Sequence, residues 1–413
     1  MSNSMYGNVG GWGRKAGCKR GVARIWVAIG ILALAALLLC AWAIICLSFR
    51  ALKGGIREHG DEIVAIRRHM AAARGDAKSQ YSWGKCYAHG DGVEQNLQKA
   101  VECFLQAAEQ GYAPAQCSLG WMYENGLGIS QDDVLALRCY RQSADQGHAP
   151  AQYHMGELLR QGRGGTRDYP KAVKWYRLAA EQGDACGQNG LGVMYRRGQG
   201  VPQDYAEAAK WFRLAADQGY AEACDALGRM YLHGQGVEQN DAEAVKWYRR
   251  AADQGHASAQ HDLGWMYGKG RGVPRDYGAQ FRWQLKAAEQ GKAISQYSLC
   301  LAYEEAEGVP LDMKKALEWC RKSAAQGYVL SQNHLGLVYE EGWHGVPIDF
   351  AEAMKWYRLT AGKGDAWAQN KLGQFYRDGK GVPPDPEEAE KWFQKSADQG
   401  NEEAKTALKA MGL

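Results

Sequence analysis

One spacing governs what this chain can fold into. The pair Gln-Gly, or a variant of it, recurs with glycines at 75, 111, 147, 183, 219, 255, 291, 327, 364 and 400; eight of the intervals are 36 residues and one is 37. A fixed period in the range of roughly 20–50 residues means stacked copies of one supersecondary unit, each burying its apolar face on its neighbours. The long interval carries an extra residue in Gly342-Trp343-His344-Gly345, where other units read Gly-x-Gly. Nine units fill Asp76 to Gly400, 325 of the 413 residues.

The stretch Asp184–Gly219 shows the grammar, with its positions numbered 1 to 36. Ala185, Leu191 and Tyr195 fall at roughly helical spacing and mark a first helix that Gly198 ends. Ala208, Trp211, Phe212, Ala215 and Ala216 mark one face of a second, which Gly219 stops as a left-handed cap. No strand pattern appears. Glycines at positions 9, 15, 17 and 36 account for 34 of the 52 in the chain, so the glycine excess belongs to the repeat and not to a linker. Position 9 lies mid-helix, where Gly costs about 0.5–1 kcal/mol against Ala, so its recurrence predicts a close helix–helix contact there. Gly198-Gln-Gly200 resembles a phosphate-binding pair, but no strand precedes it and no Lys follows as in a phosphate loop. Trp at position 28 in seven units and Tyr at position 12 in eight are expected to form the core. The ends read as caps: a lone second-type helix over Glu62–Ala73 and a lone first-type helix over Asn401–Leu413.

The pattern Ala-x-x-Gln-x-x-Leu-Gly-x-x-Tyr, Gly-x-Gly-Val, Asp-Tyr-x-x-Ala, Trp-Tyr-Arg-x-Ala-Ala-x-Gln-Gly resembles the Sel1-like repeat, a relative of the tetratricopeptide repeat. The resemblance implies an all-α, right-handed α/α solenoid used as an adaptor for protein complexes, often at membranes or in the cell envelope. Departures are local: Leu159 for the position-12 Tyr, Cys224 for the Gln, and Cys300 and Ala306 for two glycines.

The N-terminus is different material. Ile25 to Phe49 is an uncharged apolar run closed by Arg24 and Arg50. As a helix it spans about 37 Å, enough for a ~30 Å hydrocarbon core, and it exceeds a ~7–15-residue signal-peptide core. An uncleaved transmembrane anchor is expected. The parts are then a basic cytoplasmic tail (1–24), the anchor (25–49), a linker and capping helix (50–75), nine repeats (76–400) and a C-terminal capping helix (401–413). Lys15, Lys19, Arg20 and Arg24 before the span outnumber Arg50, Lys53 and Arg57 after it, which favours a cytoplasmic N-terminus. The repeats would then lie outside the cytoplasm. No Asn-x-Ser/Thr sequon occurs, which disfavours a glycosylated lumen and favours a bacterial inner membrane. Residues 1–75 carry 11 Lys/Arg and 3 Asp/Glu against a whole-chain charge of +4, so the repeats are slightly acidic. Nucleic-acid binding, which needs a basic stripe on the folded part, is disfavoured.

Chemistry is hard to find. The eight repeat cysteines occupy positions 11, 28, 6, 28, 3, 5, 9 and 29, so no pair recurs as it would in a disulfide-stapled array. They read mostly as buried thiols, with Cys86 and Cys103 of one hairpin as the best disulfide candidate. His148/His154 and His256/His261 lack the i, i+4 spacing that places two ligands on one helix face. No CxxC, His-Glu-x-x-His or Gly-x-Ser-x-Gly occurs. The expectation is no enzyme, no cofactor and no metal.

Recognition is what remains. In tetratricopeptide solenoids the first helices line the concave side, so the resemblance implies that positions 3, 6, 10, 13 and 14 face a groove. These supply Arg160, Arg196, Arg197, Arg229, His233 and Lys269 in units 3 to 6, then Glu304, Glu305, Glu340 and Glu341 in units 7 and 8. Tyr81, Trp121, Tyr153, Trp265, Tyr297 and Trp367 are interleaved. Aromatics amid charge suit a protein or peptide partner; a solvated charged face is the plain alternative. The functional expectation is a membrane-anchored scaffold. The rival is a cell-envelope enzyme or glycan-binding protein acting on cell-wall or exported polysaccharide, because the same rings stack on sugars.

Overall fold

A computed structural model describes residues 75–412. The tail, the apolar run 25–49 and the capping helix expected at Glu62–Ala73 lie outside the described residues. Among these residues, no helix is long and apolar enough to cross a membrane. The chain divides into two compact units, one ending at Gln131 and one starting at Asp132. The first holds α1 (Ala77–His89), α2 (Leu97–Glu109) and α3 (Ala113–Asn125). The second holds α4 (Asp133–Ala144), α5 (Ala149–Gln161), α6 (Tyr169–Glu181), α7 (Ala185–Arg197), α8 (Tyr205–Asp217), α9 (Ala221–His233) and α10 (Asp241–Asp253). It continues with α11 (Ala257–Lys269), α12 (Tyr277–Glu289), α13 (Ala293–Glu305), α14 (Met313–Ala325), α15 (Val329–Glu341) and α16 (Phe350–Ala361). It ends with α17 (Ala366–Asp378), α18 (Pro386–Asp398) and the cap α19 (Glu402–Ala410). Each helix packs on the next within its unit, which is the all-α hairpin array that the period predicts. The extra residue of the eighth repeat is absorbed by one 3₁₀ turn, Trp343–Gly345.

Local chemistry sets the boundaries. Every second-type helix starts at an Asn or Asp at position 21, such as Asp204, whose carboxylate accepts the Glu207 N–H at 2.9 Å. That satisfies one of the donors a helix start leaves open. First helices end on a residue in the left-handed region at position 15, which is Gly in every repeat but one. The exception is Ala306, at φ 56° the one non-glycine with positive φ among the described residues.

The core corrects one expectation. The fully buried rings stand at position 29, not 28: Tyr140, Tyr176, Phe212, Tyr248, Tyr357 and Phe393 are wholly enclosed. Most position-28 tryptophans are half-buried, and three of these carry a cation on one face, as Lys322 does 4.0 Å over Trp319, Lys286 4.1 Å over Trp283 and Lys395 4.2 Å over Trp392. The position-29 ring explains the mid-helix glycine: a Cβ at Gly228 would stand 2.8 Å from the Tyr248 ring. The position-9 expectation therefore holds, and ring against bare backbone is its cause.

A polar ladder accounts for the recurring glutamines. At position 5, Gln188 donates to the Ala180 carbonyl at the end of the preceding second helix, 3.3 Å. Its own oxygen accepts from Gln218 at position 35, 2.8 Å. Gln152, Gln260, Gln296 and Gln369 repeat both bonds. These amides are buried, so each bond left unmade would cost about 1–3 kcal/mol. At Cys224 the ladder is broken, and the thiol reaches the Ala216 carbonyl only at 3.7 Å.

Candidate partner-binding face

In the second unit the first helices α5, α7, α9, α11, α13, α15 and α17 are linked side to side by their own side chains. Arg229 on α9 donates to Asp262 on α11 at 3.2 Å. Lys292 at the head of α13 donates to Ser258 on α11 at 2.7 Å. Lys371 on α17 donates to Glu340 on α15 at 2.9 Å. A first-helix residue therefore lies either in a seam between neighbours or on the outer surface, and the register decides which.

Position 14 is exposed in every repeat of this unit. From α5 to α17 it reads Gln161, Arg197, His233, Lys269, Glu305, Glu341 and Asp378. The column passes from basic to acidic between α11 and α13. Position 6 falls in the seams, and so does position 13 in the seventh and eighth repeats. Glu340, expected on the groove surface, is buried: its carboxylate accepts from Tyr357 at 2.8 Å, Lys371 at 2.9 Å and Lys380 at 3.3 Å. Glu304 is likewise enclosed, 2.7 Å from His334. Arg160 is spent on Glu157, which also accepts the Tyr176 hydroxyl. Arg229 lies between Asp225 and Asp262. These four are structural ion pairs, because a carboxylate or guanidinium moved out of water needs an opposite charge.

Arg196 and Arg197 differ. Neither has an ion-pair partner among the described residues; Arg196 lies half-buried with its guanidinium 5.7 Å over the Phe212 ring. Burial, then Arg197 and Arg229, hold its pKa below the usual arginine range. A local surplus of positive charge sits there, ready for an anionic side chain.

The aromatics divide too. Trp265 is half-buried with Arg271 5.6 Å over its ring, and Trp367 packs edge-on to Tyr357 with Lys371 5.4 Å above it. Tyr153 and Tyr297 are seam residues, packed edge-on or tilted against His154 and Tyr176, and against Tyr328 and His334. In the first unit, Tyr81 is wedged between Phe104 and Tyr112, whereas Trp121 is 45% exposed on α3. Leu330 at position 3 of α15 is 51% exposed and was not singled out by sequence. Its signal was present, since position 3 is a groove position that turns apolar there. No disulfide joins Cys86 to Cys103.

A family model described as Sel1 repeat matches nine segments: residues 77–112, 113–148, 149–184, 187–220, 221–256, 257–292, 293–328, 329–365 and 368–401. Among solved structures, the chain is similar to a protective antigen present in uropathogenic Escherichia coli strains displaying an SLR fold. The two are 36% identical with a TM-score of 0.60, over 82% of this chain and 80% of that one. It is also similar to a Sel1 repeat protein from Oxalobacter formigenes, at 34% identity and a TM-score of 0.57, over 75% of this chain and 89% of that one. No curated protein matches the chain.

Proposed function

This chain belongs to the Sel1 repeat family, and we propose that it is a non-catalytic docking scaffold that holds a protein or peptide partner on the first-helix face of residues 149–378. The observation that carries the reading is the position-14 column, exposed throughout and changing sign between Lys269 and Glu305. A partner segment with its own charge asymmetry is held in one direction along such a column. Apolar contact comes from Leu330, with the half-buried Trp265 and Trp367 on other first helices. Clustered surface charges act mainly on association rate and partner choice, and salt screens them over about 8 Å at physiological strength. The run from Ile25 to Phe49, with the Lys/Arg bias around it, supports a single-pass anchor with the solenoid outside the cytoplasm.

The test is charge reversal at exposed column residues. Arg197→Glu with Lys269→Glu, and separately Glu305→Lys with Glu341→Lys, should slow partner association and flatten its salt dependence while helicity stays unchanged. Lys246→Glu on an outer helix is the control, because its exposed pair with Glu243 contributes little. Equal association by all three variants rejects the face. Selective retention of a glycan instead of a protein would favour the polysaccharide reading.

A further inference from the structure

We propose that Cys300, Cys320 and His334 bind one soft divalent metal ion of the zinc class, with Glu304 as the carboxylate that orients the imidazole. Register brings the two cysteines together. Position 9 is Gly in every repeat but one and faces the position-29 side chain, as Gly192 faces Phe212 and Gly228 faces Tyr248. The seventh repeat replaces both members together, with Cys300 at position 9 and Cys320 at position 29, each fully buried. Helix α15 then lays His334 over the pair. One donor atom from each of the three residues lies within 4.8 Å of the others. The Glu304 carboxylate stands 3.2 Å from the Cys300 sulfur and 2.7 Å from the imidazole Nε2.

The next repeat shows what this cradle ordinarily holds. There Glu340 occupies position 13, and its partners are the Tyr357 hydroxyl and the Lys371 ammonium at the places of Cys320 and His334. A neutral phenol donating to a carboxylate and an ammonium offer no zinc-binding set. Two thiols and an imidazole are the donor set that selects zinc over harder cations. Tetrahedral zinc at ~2.3 Å from sulfur and ~2.0 Å from nitrogen needs these donors about 3.5–3.8 Å apart, so the spread closes by about 1.3 Å at most. A carboxylate on the second nitrogen of a ligating histidine is the usual way its ring is oriented. The way in is from the first-helix face, where the His334 and Glu304 side chains keep 11% and 13% of their surface. Binding displaces two thiol protons and one imidazolium proton to solvent, the ring keeping the N–H that faces Glu304, and the two thiolates neutralise the cation. The ion would staple α13, α14 and α15, and so two successive repeats.

Cobalt(II) added to the reduced, metal-free full-length protein is the probe. One equivalent should produce a thiolate-to-cobalt charge-transfer band with tetrahedral visible bands, and zinc should bleach both. Zinc alone should raise the melting temperature. The double variant Cys300→Gly/Cys320→Tyr restores the pairing of the other repeats, so it should fold and lose both responses. Glu304→Gln should weaken metal binding about 10–100-fold. Three results overturn the proposal: no thiolate band in the parent, the same band in the folded double variant, or a Cys300–Cys320 disulfide in the unreduced protein as isolated.

Discussion

Two side chains decide more than their neighbours do. Ala306 holds a left-handed backbone where every other repeat uses glycine, a conformation that costs an L-residue about 1–2 kcal/mol. Ala306→Gly should therefore stabilise the protein by roughly 1 kcal/mol, read as a higher urea midpoint with unchanged slope. Glu340 is the second. Burial alone would raise its pKa, but the bonds from Lys371 and Tyr357 more than offset this and hold it below the usual carboxylate range. A carboxylate depressed on folding stabilises above its unfolded pKa of ~4.3, and that stability is lost as pH falls through the folded value. The Glu340 contribution should be flat from neutral to about pH 5 and be lost below about pH 4, so Glu340→Gln should blunt the fall in stability there. The repeat pattern put Glu340 on the groove surface, whereas Lys371 and Lys380 close over it in a seam. Those partners lie 31 and 40 residues away, and a charge column read one helix at a time does not show a seam.

At the scale of elements, the helices were legible almost to the residue, because each boundary has its own chemical mark. The Asn or Asp at position 21 opens the second helix, and the glycines after positions 14 and 35 close both. What was misread is the core stripe. The sequence puts the aromatics at 28 and 29 on one face and the tryptophans at 28 in the core, yet the ring pressed on the neighbouring glycine is at 29, one residue on and 100° round the helix. The pairing of 9 with 29 is a tertiary fact, and without it Cys300 and Cys320 look like unrelated cysteines. Gly228→Ala tests the pairing. The added methyl meets the Tyr248 ring at 2.8 Å, so overpacking of about 1–3 kcal/mol should outweigh the gain in helix propensity. Repeats in such an array touch only their neighbours. Hydrogen exchange should therefore quicken in α8 to α11 and stay unchanged in α16 to α19; a uniform loss of protection would contradict the one-dimensional account.

For the whole molecule, the account joins an apolar run at the N-terminus to a binding face on the repeats. The anchor is testable by itself: protease added to intact spheroplasts should digest the chain beyond Arg50, and full protection of the repeats would reverse the orientation. The binding face is the central claim, and photo-crosslinking in living cells addresses it most directly. A photoreactive residue placed at Arg197, Lys269 or Glu305 samples the exposed first-helix column; one at Leu178, Leu214 or Leu359 samples exposed apolar positions on the outer helices. The account predicts a discrete adduct of one size from the first three sites and none from the second three. Adducts from Leu178, Leu214 or Leu359 with none from the column would contradict it and move recognition to the outer helices.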